Sequence, residues 1–204
     1  MKRDPELVIG GYKVPGGKGR LAVAAAVDLI KREPGVKQTE VQKHAVRFAG
    51  LNPSTAGWIT SPGTGLGRPT GILWERKKVG TYRCYPNKNT EQFIWDPCDL
   101  AAEYCKQQMA GLGRLRPGDI LSFDNYPGGP KTGLFLGFRC IGSYNFQQYH
   151  KGSHFLTDIF SDPNFFDDRA LWGAGVPDIY CAVSTSGGIV DWNASQVRVI
   201  SSAT

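Results

Sequence analysis

The chain has 204 residues, 41% hydrophobic and 21% charged, which suits a single ordinary globular domain and excludes a low-complexity or collagen-like protein. Its net charge of +6 points to an anionic partner, but the densest basic clusters, "ERKK" (Glu75–Lys78) and "GRLR" (Gly113–Arg116), are short. A mildly basic solvated surface is therefore expected, and nucleic acid is the less favoured partner.

In chain order, residues 1–19 are expected to form an extended N-terminal arm, with "PGGKG" (Pro15–Gly19) as its joint. A short strand at Leu7–Ile9 would need a partner to supply its neighbour. The arm shows no apolar h-region, so the expectation is a protein made in the cytoplasm that does not use the Sec route. "LAVAAAVDLI" (Leu21–Ile30) is broken by Asp28 and too short to span a bilayer. Residues 20–204 are expected to fold as one domain.

"RLAVAAAVDLIKRE" is Ala-rich and closed by Pro34-Gly35, a good helix. "KQTEVQKHAVRFAG" predicts a second, with Thr39 as N-cap, Gly50 as stop and an apolar stripe of Val41, Ala45, Phe48 and Ala49. A long loop rich in Gly, Pro, Ser and Thr follows, and "ILWERKKVG" is read as the start of a short helix. "CDLAAEYCKQQMAGLG" predicts a third helix, capped by Asp96 or Asp99 and ended by Gly111 or Gly113. Beyond Arg116 strands dominate: "DILSF", "GLFLGFRCIGS" (Gly133–Ser143), "DIYCAV" (Asp178–Val183) and "QVRVI" (Gln196–Ile200). Helices first and antiparallel strands second make an α+β domain, its N-terminal helices packed on a C-terminal antiparallel sheet.

The five cysteines (Cys84, Cys98, Cys105, Cys140, Cys181) include no CxxC pair, so a finger-type metal site is not expected, nor is any cofactor. They are read as reduced and buried, with one or two disulfides as the alternative in an extracellular particle. "GTGLGRPTG" (Gly63–Gly71) matches neither dinucleotide nor P-loop glycine spacing and is read as turns. "SDPNFFDD" (Ser161–Asp168) lacks the alternation of a calcium loop.

"RPGDILSF" leading into "KTGLFLG" resembles the NlpC/P60 and CHAP superfamily of papain-like cysteine peptidases, over roughly Thr39 to Ser143. Members cut peptide or amide bonds in bacterial cell walls. Their signature is a helix opening Asp-Cys-Ser-Gly, then a Pro-Gly-Asp strand, then a strand beginning His-Val-Gly. The resemblance implies a papain-like α+β fold with a thiolate nucleophile at a helix start and a histidine base beside it. On this register Lys131 stands at the histidine and Gly133 at the glycine, while "LGRPTGILW" (Leu66–Trp74) puts Pro69 at the cysteine. A lysine with an ordinary pKa of about 10.4 is charged at neutral pH and is no base. Proline offers no nucleophile.

The resemblance thus implies an inactive relative, a structural or binding component of a phage tail or similar particle. Its partners would be other subunits, reached through the arm, or the bacterial cell wall. The alternative is an active peptidoglycan hydrolase using Cys98 as nucleophile, His150 or His154 as base and Asp158 as orienter. For Cys98 the competing reading is a thiol packed at a helix end; for His150 and His154 it is loop histidines at the surface. His44 is expected to be solvated. A nucleic-acid-associated virion protein is a third reading, resting on the charge alone.

Overall fold

The computed structural model describes residues 7–9, 12–52, 54, 73–78, 81–112, 115–123, 132–141, 169–173, 175–176 and 178–203. It is a mixed α+β structure in two compact units, Met1–Tyr104 and Cys105–Thr204.

The first unit begins with β1 (Leu7–Ile9) and β2 (Tyr12–Val14), paired antiparallel from Leu7↔Val14 to Ile9↔Tyr12. The strand expected to need an outside partner thus finds one three residues further along its own chain. Helix α1 (Gly17–Arg32) takes in Gly17–Gly19, which the sequence alone assigns to the arm. Its alanines lose no side-chain entropy on folding. Residues 20–27 are all buried, as are Leu29 and Ile30, so this helix is inside its unit on nearly every side. Gly35, at φ +89°, turns the chain into β3 (Val36–Lys37).

Helix α2 (Gln38–Ala49) starts two residues earlier than an N-cap at Thr39 would require. Lys37 occupies the cap, and the Glu40 carboxylate accepts its backbone N–H at 3.4 Å. Gly50 closes the helix in the left-handed region, as expected for a glycine stop.

The stretch read as a helix after Gly71 is instead strand β4 (Leu73–Lys78), paired with β5 (Thr81–Tyr85). Glu, Arg and Lys favour helices, but only weakly, and tertiary pairing overrides that preference here. β5, rich in Thr and Tyr, is the centre of a three-stranded sheet of order β3-β5-β4. Cys84 and Val36, opposite one another, are buried.

Helix α3 (Lys88–Glu91) is a single turn whose cap, Asn87, accepts from the N–H groups of Asn89 and Thr90. Val14, Val23, Ala24, Val27 and Phe93 form a core cluster, with Leu100 packed against it. Leu100 belongs to α4 (Pro97–Leu112), within which the division between the units falls.

The second unit is built on a five-stranded antiparallel sheet: β6 (Ile120–Phe123), β7 (Thr132–Ile141), β8 (Asp178–Thr185), β9 (Gly188–Asn193) and β10 (Val197–Ser201). The order is β10-β6-β7-β8-β9, so the last strand returns to flank the first. β9 is additional to the strands expected. It follows β8 through the tight turn Ser186-Gly187, and Thr185 Oγ1 donates to Gly188 O at 2.8 Å.

One face of the sheet carries buried Leu121, Phe123, Phe135, Phe138, Cys181, Val183, Trp192 and Val197. Phe123 stacks on Trp192 at 5.3 Å, and Phe135 meets Phe138 edge-on at 5.0 Å. Leu134 and Ile189, on the other face, are exposed. The short helix α5 (Arg169–Trp172) contributes Trp172, fully buried.

Candidate functional site

Of the residues singled out by the sequence, the structure describes the Arg116-Pro117-Gly118-Asp119 turn and the start of β7 in the second unit and, separately, the start of α4 in the first. The turn is closed by hydrogen bonds. Asp119 N–H donates to Arg116 O at 2.9 Å, and the Asp119 carboxylate accepts from Arg116 N–H at 2.8 Å. Its second oxygen accepts from Ala203 N–H, also at 2.8 Å, which ties the C-terminal residues to the turn. Gly118 N–H donates to Phe135 O and Phe135 N–H to Asp119 O, joining the turn to β7.

Asp119 is 1% exposed. The Arg116 N–H bond, then the Ala203 bond, hold its carboxyl below the ordinary carboxylate value. With both oxygens engaged by backbone donors, this carboxylate is a structural clasp rather than an acid or base. Gly118 sits at φ +100°, a conformation that favours glycine, with space for a Cβ limited by Ala203.

At the head of β7, Gly133 lies against β8. A Cβ there would overlap Val183, approach Ser184 O to 2.7 Å and Thr185 Cγ2 to 3.0 Å. A glycine is therefore demanded at position 133 by strand packing. Lys131, the residue that the resemblance aligns with the base, lies outside the described residues, as do Pro69, His150, His154 and Asp158. The register that places Pro69 at the nucleophile calls for a helix, yet Leu73 and Trp74, the end of that match, belong to strand β4.

Cys98 is the second residue of α4, behind Pro97 at the first position, where a missing N–H costs nothing. It is half-buried. The Asp96 carboxylate accepts from Cys98 N–H at 2.8 Å and from Asp99 N–H at 3.3 Å, so Asp96 is the cap. The positive end of this helix already serves a carboxylate.

The other described thiols are ordinary core residues. Cys84, Cys105 and Cys181 are free and buried, and burial pushes each up to about 12, leaving them protonated at neutral pH. Alkylation of the native protein by iodoacetamide near neutral pH should accordingly modify Cys98 well before these three. Peptide mass spectrometry would read this out; equal labelling of all four would contradict the burial described.

His44, expected to be solvated, is half-buried in α2 with its ring 6.1 Å from that of Phe48. Burial, then the Arg32 charge, holds it below the ordinary histidine value. Among the described residues no group of three or more His, Cys, Asp or Glu could hold a metal ion. No helix among them is long and apolar enough to cross a membrane. Compared with protein-family models, curated proteins and solved structures, the chain matches none.

Proposed function

We propose that this chain is a catalytically inactive NlpC/P60-like domain, with a papain-like arrangement, that serves as a structural or binding component of a phage tail or similar particle. One observation carries the reading: the retained parts of the signature are those with structural work. Gly118 and Asp119 close a hydrogen-bonded turn onto β7 and Ala203, and Gly133 lets β7 and β8 approach. These residues would be needed to keep the sheet whether or not any bond is cut. The residue in the base position is Lys131, and a charged ammonium cannot take a proton from a thiol. Catalysis of this type needs the nucleophile and base together.

A second reading, an active peptidoglycan hydrolase, is favoured by Cys98. It is half-buried at the opening of a 16-residue helix that precedes the Pro-Gly-Asp strand, the order of the family signature. His150 or His154, with Asp158, would have to supply the rest.

Incubating the purified chain with isolated peptidoglycan separates the two. The inactive reading expects no loss of turbidity and no released fragments, with identical traces for the native protein and Cys98→Ala. Clearing that disappears in Cys98→Ala would establish the hydrolase instead. Lys131→His alone should not create activity, because a base without a placed nucleophile does no work.

A further inference from the structure

The five-stranded sheet of the second unit ends in two edge strands of different kinds. Among the described residues β10 has β6 as its one neighbouring strand, and β9 has β8. An edge offers unpaired N–H and C=O groups to any extended chain, and proteins blunt it with bulges and exposed cations. β10 carries both, a register shift between Val199 and Ser201 and an exposed Arg198. β9 pairs with β8 without a break from Gly188 to Asn193 and has no lysine, arginine or proline. Its one charge, Asp191, is answered from within the sheet by Arg139 Nη1 at 3.5 Å.

An apolar row on the outer face leads to this open edge. Register sets Ile120, Leu134, Ser184 and Ile189 side by side across β6, β7, β8 and β9. Ile120 is half-buried, Leu134 is 40% exposed, and Ile189, which ends the row, is 57% exposed. A β-branched apolar residue exposed on an unguarded edge favours the addition of another strand.

The same row selects the strand that fits. Gly188 faces Thr185 across the tight turn, so the backbone groups of Ile189 and Asp191 point away from β8. Two copies of β9 can pair antiparallel about a two-fold axis, and their side chains keep to the same faces only when the axis passes at a residue. An axis at Asp191 opposes two carboxylates. An axis at Val190 sets each Asp191 against Ile189 of the other copy. An axis at Ile189 opposes two isoleucines and joins the apolar row of one copy to that of the other. It also brings Gly187 opposite Asp191 and Gly188 opposite Val190, where a missing side chain leaves room. Apolar cross-strand pairs stabilise a sheet and like charges directly opposite destabilise it, which favours the axis at Ile189.

We propose that the chain forms a two-fold dimer by antiparallel pairing of β9 with β9 of a second copy, Ile189 lying on the axis, so that two five-stranded sheets become one. The proposal extends beyond the structural role above and does not depend on it.

Size-exclusion chromatography with light scattering, on the full chain over a dilution series, reads the association. The native chain should show twice the monomer mass at high concentration and return to monomer on dilution, because the pairing of one short strand belongs to the small, weak class of interfaces. Ile189→Lys places two ammonium groups face to face on the axis and should weaken dimerisation at least about tenfold, and Ile189→Glu should do the same with carboxylates. An equal mixture of the two variants should dimerise again, since lysine then meets glutamate. Ile200→Lys changes an isoleucine of the other edge strand with the same 57% exposure and should leave the dimer unchanged. Circular dichroism confirms that each variant folds.

A native chain that stays monomeric at every concentration overturns the proposal, as does a dimer that survives Ile189→Lys. A mixture of the lysine and glutamate variants that stays monomeric overturns it too. A tighter dimer in Ile189→Lys would mean that the new ammonium meets Asp191, the register about Val190, and loss of the dimer in Ile200→Lys would move the interface to β10; either result overturns the proposal.

Discussion

Phe135→Ala is expected to destabilise the protein by about 3–5 kcal/mol, enough to leave a marginally stable domain largely unfolded at growth temperature. Phe135 is wholly buried at the centre of the five-stranded sheet. Its ring contacts Phe138 edge-on, so truncation removes an aromatic pair as well as buried area. Its backbone is the fastening point of the turn before β6: its carbonyl accepts from Gly118 and its N–H donates to Asp119. The cavity opens on the buried face of β7, whose backbone is held by its ladders to β6 and β8 and cannot shift to fill it. Urea unfolding monitored by tryptophan fluorescence measures the loss. A change below about 1 kcal/mol would mean that this side chain is not in the core.

Gly133→Ala should cost about 1–3 kcal/mol, the usual range for forcing a methyl group into an occupied space. The opposing atoms include the Ser184 carbonyl oxygen, which belongs to the β7–β8 ladder and cannot rotate away as a side chain would. Relief therefore requires the two strands to separate locally. Gly187→Ala is the matched control. A Cβ at Gly187 would meet only Thr185 Oγ1, at 3.9 Å, and this glycine has no positive φ, so the change should be near neutral. Thermal melts of the two variants beside the native protein give the comparison. Equal stability of both would show that β7 and β8 do not pack as described, and would remove the structural explanation for the signature glycine.

Both outcomes bear on the functional proposal. If Gly133 and the Asp119 clasp are required by the sheet, their presence is no sign of catalysis, and Lys131 can be taken at face value. A tolerant Gly133 would return attention to chemistry at the head of β7, and with it to Cys98.

Local chemistry made much of the architecture legible. An alanine-rich run with a Pro-Gly stop predicts α1, Gly50 ends α2, and Asp96 caps α4; each is settled within a turn or two of chain. Apolar runs predict β6, β7, β8 and β10 for the same reason. The sequence by itself therefore determined an α+β protein with these elements in this order, and it located the turn and the glycine of the candidate site. It did not reveal β4, because Glu-Arg-Lys-Lys carries a helical preference that only pairing with β5 reverses. Nor did it show that Asp119 is held by Ala203, 84 residues away, or that Lys37 stands beside Arg83. Those are decisions of register, made by long-range hydrogen bonding and burial.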